Sequence, residues 1–431
     1  MKRIVLCAAT VIIAATCYIN ANAQDKECCN DAVVKTGIEV LRDNNFKQLE
    51  GKRIGLVTNP TGIDRNLVST VDILHNAKNV KLVALYGPEH GVRGDIHAGA
   101  TVDDYKDPAT GIQVFSIYGK TRKPTPEMLK GLDAVVYDIQ DNGCRSYTFI
   151  STLGLLMEAC AEQNIEVIVL DRPNPLGGLK VEGNIVEPGC FSFVSMFEIP
   201  YIYGLTVGEL AIMLNEEGML KGERGTNNVA PKCKLTVIPM EGWKRDMVFG
   251  DTGQPWVLPS PHVPQAESAY YYPASGIMGE FSNYMSIGVG YTLPFQLFAA
   301  EWITDAEAFA ERLNDLNLPG VRFRSIYFRP FYAVGAGKQL QGVQFYFTEY
   351  RKAAITEVQF YVMQVVAEMY PEYAAFVYNN NSRLRMFDMV TGSTYIRENL
   401  AKRHKFEDIK EYWYKDVPEF LEKSKKYYLY K

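Results

Sequence analysis

Residues 81–95 read KLVALYGPEHGVRGD. The run from Leu82 to Tyr86 is apolar at every position, the pattern of a strand covered on both faces in a parallel sheet. Gly87 and Pro88 then end the pairing, and Glu89, His90 and Arg93 stand among Gly87, Gly91 and Gly94. A carboxylate, an imidazole and a guanidinium packed into one tight turn mark the rim of a sheet.

Working outward, RIGLVTN (53–59), QVFSIYG (113–119), AVVYDIQ (134–140) and EVIVLDR (166–172) repeat the short β-branched run. Helical patterns separate them. TPEMLKGL (125–132) offers a Thr125 cap with Pro126 at the first helical position, TLGLLMEACAEQN (152–164) follows the fourth run, and TVGELAIMLNEEG (206–218) opens on a Thr206/Glu209 capping box and stops at Gly218. This alternation predicts an α/β fold with a Rossmann-like, doubly wound parallel sheet.

The texture changes around QPWVLPSPHVPQAESAYYYPASG (254–276), where prolines crowd ahead of a tyrosine cluster. Beyond it, GVRFRSIYFRPFY (320–332) and LQGVQFYFTE (340–349) alternate like half-exposed strands, while 354–370 and 406–430 read as helices. The expected organisation is a catalytic domain over 35–255 and a smaller α/β or α+β domain over 256–431 that closes the cleft. The basic aromatic tail KSKKYYLYK (423–431) is expected to dock on its own domain.

Lys2 and Arg3 precede an apolar stretch (4–19), and Ala21-Asn22-Ala23 supplies a small-x-small cleavage pattern, so residues 1–23 read as a signal peptide. Export to the periplasm is the expectation, ahead of release from the cell or lipid anchoring at Cys17, because Thr16 is bulky for a lipidation site. Loss of the leader takes the formal charge from −5 to −7, against nucleic-acid binding. No other apolar run is long enough to span a bilayer, so no integral membrane segment is expected in the mature chain. Cys28, Cys29, Cys144, Cys160, Cys190 and Cys233 are too sparse for a disulfide scaffold and lack zinc-type spacing, with room for one structural disulfide.

In open α/β sheets, ligands bind outside the carboxyl ends of the strands. Four strand ends carry polar clusters: Asn59 and Thr61; Glu89, His90 and Arg93; Asp138, Asp141, Arg145 and Tyr147; Asp171, Arg172 and Asn174. Several carboxylates and guanidiniums without a phosphate loop suit glycoside hydrolysis, which needs one carboxyl as proton donor and a second as base or nucleophile. Glu89, in its glycine-hinged turn, is the expected donor. The second carboxylate stays open among Asp141, Asp171, Asp138 and Glu182. No cofactor is expected, since no G-x-G-x-x-G follows the first strand. No metal is expected either, because the His90/His97 spacing around Asp95 matches no ligand signature.

LVTNPTG (56–62), GPEHGVRGD (87–95), TRKPTPEML (121–129), YDIQDNGCRSYTF (137–149) and DRPNPLGG (171–178), followed by VEGN (181–184) and GLTVGELA (204–211), resemble in order and spacing the exo-β-N-acetylmuramidase family. The resemblance covers nearly all of the chain after the leader. It implies a two-domain Rossmann-like hydrolase that releases N-acetylmuramic acid from non-reducing ends of peptidoglycan-derived glycans, with Glu89 as the leading catalytic group. Glu280 and Asn283 match a family E-G-T-N pattern. The lactyl carboxylate of such a substrate makes Arg93, Arg145 and Arg172 candidate binders, and Tyr147 and the SAYYYP cluster (268–273) candidates for a sugar platform, with domain-interface core as the other reading of the cluster. Two departures stand out: Ile202-Tyr203 replaces Arg-His, and Ile287, Val289 and Leu293 replace one acidic and two basic residues. A glycan-binding protein without turnover, a glycosidase with shifted sugar specificity and a metal-assisted esterase are the alternatives.

Overall fold

The computed structural model describes residues 33–94, 103–221 and 230–431. The leader, Cys17, Cys28, Cys29, Asp95 and His97 lie outside the described residues.

All five expected strands form. They are β1 (Arg53–Thr58), β2 (Lys81–Gly87), β4 (Gln113–Ser116), β5 (Ala134–Asp138) and β6 (Glu166–Leu170). The sheet also takes in β3 (Tyr105–Lys106) and β7 (Lys234–Ile238), giving the order β3-β4-β2-β1-β5-β6-β7. Only β3 runs antiparallel to its neighbour. The two additions escaped the sequence reading because β3 has two residues and edge strand β7 is half exposed over most of its length.

Alternation along the strands feeds two cores. Val135, Tyr137, Val167 and Val169 face one apolar cluster, while Ala134, Val136, Ile168 and Leu170 face another with Ile38, Leu41 and Val71. The helices behave as their caps predict. Thr125 accepts from the Met128 amide, and Thr206 and Glu209 complete a reciprocal box at the helix Val207–Glu216.

Residues 34–431 form one unit. Its second sheet, in the order β8-β10-β9, consists of β8 (Leu297–Ala300), β9 (Val321–Phe328) and β10 (Leu340–Phe347), all antiparallel. The cluster on one face of the large sheet continues through Phe281, Phe298, Phe345, Val362 and Trp413, so the two halves share apolar packing.

One expectation, that the terminal tail docks on its own domain, needs correction. The tyrosine stretch forms a helix, Ser268–Gly279, carrying Pro273 inside it. Its Tyr270, Tyr271 and Tyr272 pack on Tyr350, Phe345 and Phe295, and this burial outweighs the proline's missing hydrogen bond. The terminal tail docks on the first half of the chain. The Tyr430 hydroxyl donates to Asp171 at 2.5 Å, the Leu429 amide to Glu209 at 2.9 Å, and Tyr428 lies under the Arg245 guanidinium. Those buried carboxylates take donors from the tail in addition to the amides of Arg172 and Thr206 in their own segments.

Candidate active site

The switch point of the sheet lies at β1, between β2 and β5, where open α/β sheets usually leave a crevice. Here it is filled. Arg172 donates to both oxygens of Asp138, at 2.5 and 3.0 Å, and to the Ile63 carbonyl at 2.8 Å. Thr70 donates to Asp138, and Thr61 donates to Asn59. About 10 Å³ remains beside Thr61, Gln140 and Arg172, the room of a single water.

The open cleft lies elsewhere, with a volume of about 630 Å³. The turn after β2 contributes Glu89 and His90, the loop after β4 Tyr118 and Arg122, and the segment after β5 Ser146 to Phe149. The second half of the chain adds His262, Tyr272, Gly276, Gly279 and Glu280, the apolar Ile287, Val289 and Phe295, and Met386 and Met389. Tyr272, Gly276 and Gly279 fall on one helical face, and the two glycines keep that face low enough for a ligand.

His90 and Gly91 adopt positive φ angles of 73° and 72°, the turn that carries Glu89 beyond the strand end. The Tyr118 hydroxyl donates to Glu89 Oε1 at 2.8 Å. Burial and the adjacent Glu89 push the Tyr118 phenol up to about 12, so it stays a donor at neutral pH. Burial, offset in part by Arg383, holds the Glu280 carboxyl above its usual range. Burial and the nearby His90 lower His262 and favour its neutral imidazole. Tyr147 is 9% exposed, and its hydroxyl lies beside Ser260.

Of the residues singled out in the sequence, Glu89, His90, Tyr147 and Glu280 meet in this cleft. The others are placed differently. Arg93 pairs with Asp107 at 2.9 Å and Asp72 at 3.2 Å. Arg145, fully buried, donates to the carbonyls of Asn184, Ile199, Val390 and Thr391, and Arg172 is committed to Asp138. Asp171 is fully buried and accepts from Thr206, Gly208 and Tyr430. Glu182 accepts from the Ile355 and Thr356 amides at 2.9 and 2.8 Å, ahead of the helix Glu357–Met369. Asn174 bonds the Leu176 amide and the Leu205 carbonyl, and Asn283 is exposed outside the cleft lining. For the buried charged residues among them the cause is one: a charge drawn into a folded interior survives there only with a compensating partner.

Asp141 sits inside the wall and accepts from Tyr203 and from the Gly143 amide. Tyr203 is one of the two departures before GLT, and it serves as the phenol donor to this carboxyl. Burial pushes Asp141 up to about 6, above its usual range. A folded state that binds the proton more tightly than the unfolded chain loses stability as pH rises from about 4 to about 6. Asp141→Asn is therefore expected to show a shallower fall in melting temperature over that window, and an unchanged slope would refute the assignment.

Tyr118, Arg122 and His262 escaped the sequence reading, whereas Tyr272 belongs to the SAYYYP cluster (268–273) that the sequence offered as a sugar platform or domain-interface core. Arg122 of TRKPTPEML (121–129) follows β4, which is adjacent to β2, and so belongs to the same rim. Nothing local marks His262. Among the described residues no group of three or more His, Cys, Asp or Glu is placed to hold a metal ion, and no helix is long and apolar enough to cross a membrane.

Comparison with known proteins matches residues 54–267 to the amino-terminal part of the exo-β-N-acetylmuramidase NamZ family and residues 270–430 to its carboxy-terminal part. The peptidoglycan β-N-acetylmuramidase NamZ of Bacillus subtilis strain 168 is 44% identical over 397 residues, covering 92% of this chain and 91% of that protein. A DUF1343 family protein of Bacteroides fragilis NCTC 9343, solved by crystallography, is 58% identical, with a TM-score of 0.87 over 92% of this chain and 99% of its own. A second from the same organism is 26% identical with a TM-score of 0.71, at the same coverage of both chains. Two consecutive family matches across one α/β chain, and a curated relative aligned along nearly its full length, lead to one conclusion: the chain belongs to the exo-β-N-acetylmuramidase family.

Proposed function

We propose that this protein is an exo-acting β-N-acetylmuramidase that releases N-acetylmuramic acid from the non-reducing ends of peptidoglycan fragments, with Glu89 as the proton donor. The observation that carries the reading is a cleft holding two carboxyl groups, Glu89 and Glu280, on different elements between aromatic walls. The relative from Bacillus subtilis is named for β-N-acetylmuramidase action on peptidoglycan.

Hydrolysis of a glycoside places one carboxyl at the leaving oxygen and a second where it can activate water or attack the anomeric carbon. Tyr118 holds the Glu89 side chain in orientation for the first role. Glu280 takes the second in place of Asp141, Asp138, Asp171 and Glu182, which are buried in internal hydrogen bonds. A carboxylate whose conjugate acid is weakened by burial is the stronger base once ionised. The Tyr147 and Tyr272 rings, edge to face at 5.3 Å, supply an apolar surface for the sugar.

The test is cleavage of a chromogenic N-acetylmuramic acid β-glycoside beside its N-acetylglucosamine analogue. Release from the muramyl compound is the expected result. Absence of release from either sugar, with muramyl ligands still raising the melting temperature, would replace the hydrolase by a binding protein. Export completes the reading. It is supported by the leader pattern of residues 1–23 and by a substrate found outside the cytoplasm, and is checked by the amino terminus of the protein recovered from a periplasmic fraction.

A further inference from the structure

We propose that Arg122 recognises the lactyl carboxylate of the muramyl substrate and thereby sets the preference of this cleft for muramic acid over glucosamine sugars. The proposal rests on the muramidase reading above.

Three observations converge on Arg122. The first is elimination. The arginines that the sequence put forward are spent on Asp72 and Asp107, on four backbone carbonyls and on Asp138, and among the described residues lining the cleft Arg122 is the one lysine or arginine. The second is availability. Arg122 is exposed, and among the described residues it forms no ion pair. Its guanidinium carbon lies 4.2 Å from the centroid of the Phe193 ring. Such a contact occupies the face of the guanidinium and leaves the N–H edge for a carboxylate, which arginine binds through two parallel hydrogen bonds.

The third observation is placement. The loop that carries Tyr118 to Glu89 carries Arg122 four residues later, so one segment braces the proton donor and presents the cation. That cation gives an anionic sugar a counter-charge in a cleft whose other ionisable groups include Glu89 and Glu280. His262 does not substitute for it, since burial and His90 keep its imidazole neutral. Ile287 and Val289 make the wall apolar, and a less polar surround strengthens an ion contact.

The experiment uses the full protein and Arg122→Gln and Arg122→Lys variants on three chromogenic β-glycosides without stem peptide: the muramyl acid, its lactyl methyl ester and the N-acetylglucosamine analogue. Because no peptide is present, any charge dependence belongs to the lactyl group. Loss of a charge-assisted contact should lower kcat/KM on the acid by about 10-fold or more, chiefly through KM. The rates on the ester and the glucosamine analogue should stay within about twofold of wild type, and Lys should restore part of the loss. An acid-to-ester ratio equal in wild type and Arg122→Gln would overturn the assignment even though the muramyl acid is cleaved.

A wild-type protein that cleaves none of the three would sink the muramidase reading instead. In that event Arg122 is judged by calorimetric titration of free N-acetylmuramic acid. Binding weakened about 10-fold in Arg122→Gln upholds its role, and equal or absent binding ends it.

Discussion

Glu89→Gln is expected to lower hydrolysis of a muramyl β-glycoside by about a thousandfold, within the range of roughly 10² to 10⁴ that a positioned proton donor contributes. The substitution keeps shape and removes the acid. A glutamine carbonyl still accepts from the Tyr118 hydroxyl that now reaches Glu89 Oε1 at 2.8 Å, and the positive-φ turn at His90 and Gly91 is untouched. A melting curve of the variant, taken beside the kinetics, separates loss of the acid from loss of the fold. An enzyme retaining more than a tenth of its kcat/KM with Gln at this position would remove Glu89 from the chemistry. Glu280→Gln run beside it separates a two-carboxyl mechanism from one in which a single acid suffices.

The largest loss of stability is expected from Arg145→Met. Arg145 is fully buried, and its guanidinium donates at 2.7 Å to the Asn184 and Ile199 carbonyls and at 3.1 and 2.9 Å to those of Val390 and Thr391. It thus ties two segments of the first half to the end of the helix Asn381–Thr391 in the second. Burial lowers its pKa only to about 10, so it stays charged at neutral pH. Methionine fills similar space but leaves the carbonyls without donors. At roughly 1 to 3 kcal/mol for each buried group left unsatisfied, the loss should reach at least about 3 kcal/mol after partial relaxation. Urea unfolding followed by fluorescence checks it, and a loss below about 1 kcal/mol would show that water or a rearranged backbone replaces the arginine. Lysine should rescue little, because a single ammonium cannot reach four carbonyls fixed around a planar fork. Activity should fall as well, since Tyr147 on the cleft wall is two residues away.

The sequence by itself determined the five parallel strands, the capped helices between them and the turn that carries Glu89. Each of these signals is local. A strand covered on both faces is apolar at successive positions, as in Val135, Val136 and Tyr137, and a capping box such as Thr206 with Glu209 closes within four residues. The polar strand ends were equally legible, but not their division between interior and cleft. Asp171 and Tyr430 stand 259 residues apart, Asp138 and Arg172 stand 34 apart, and Asp141 and Tyr203 stand 62 apart. No local pattern shows that these carboxylates are spoken for. Only the tertiary structure decided it, by filling the crevice at the switch point and opening the cleft against the helix Ser268–Gly279, which brings Tyr272 and Glu280 to Glu89. The physical reason is that a strand's burial follows from its own residues, whereas a buried charge is tolerable only beside a partner, and that partner comes from wherever the chain returns.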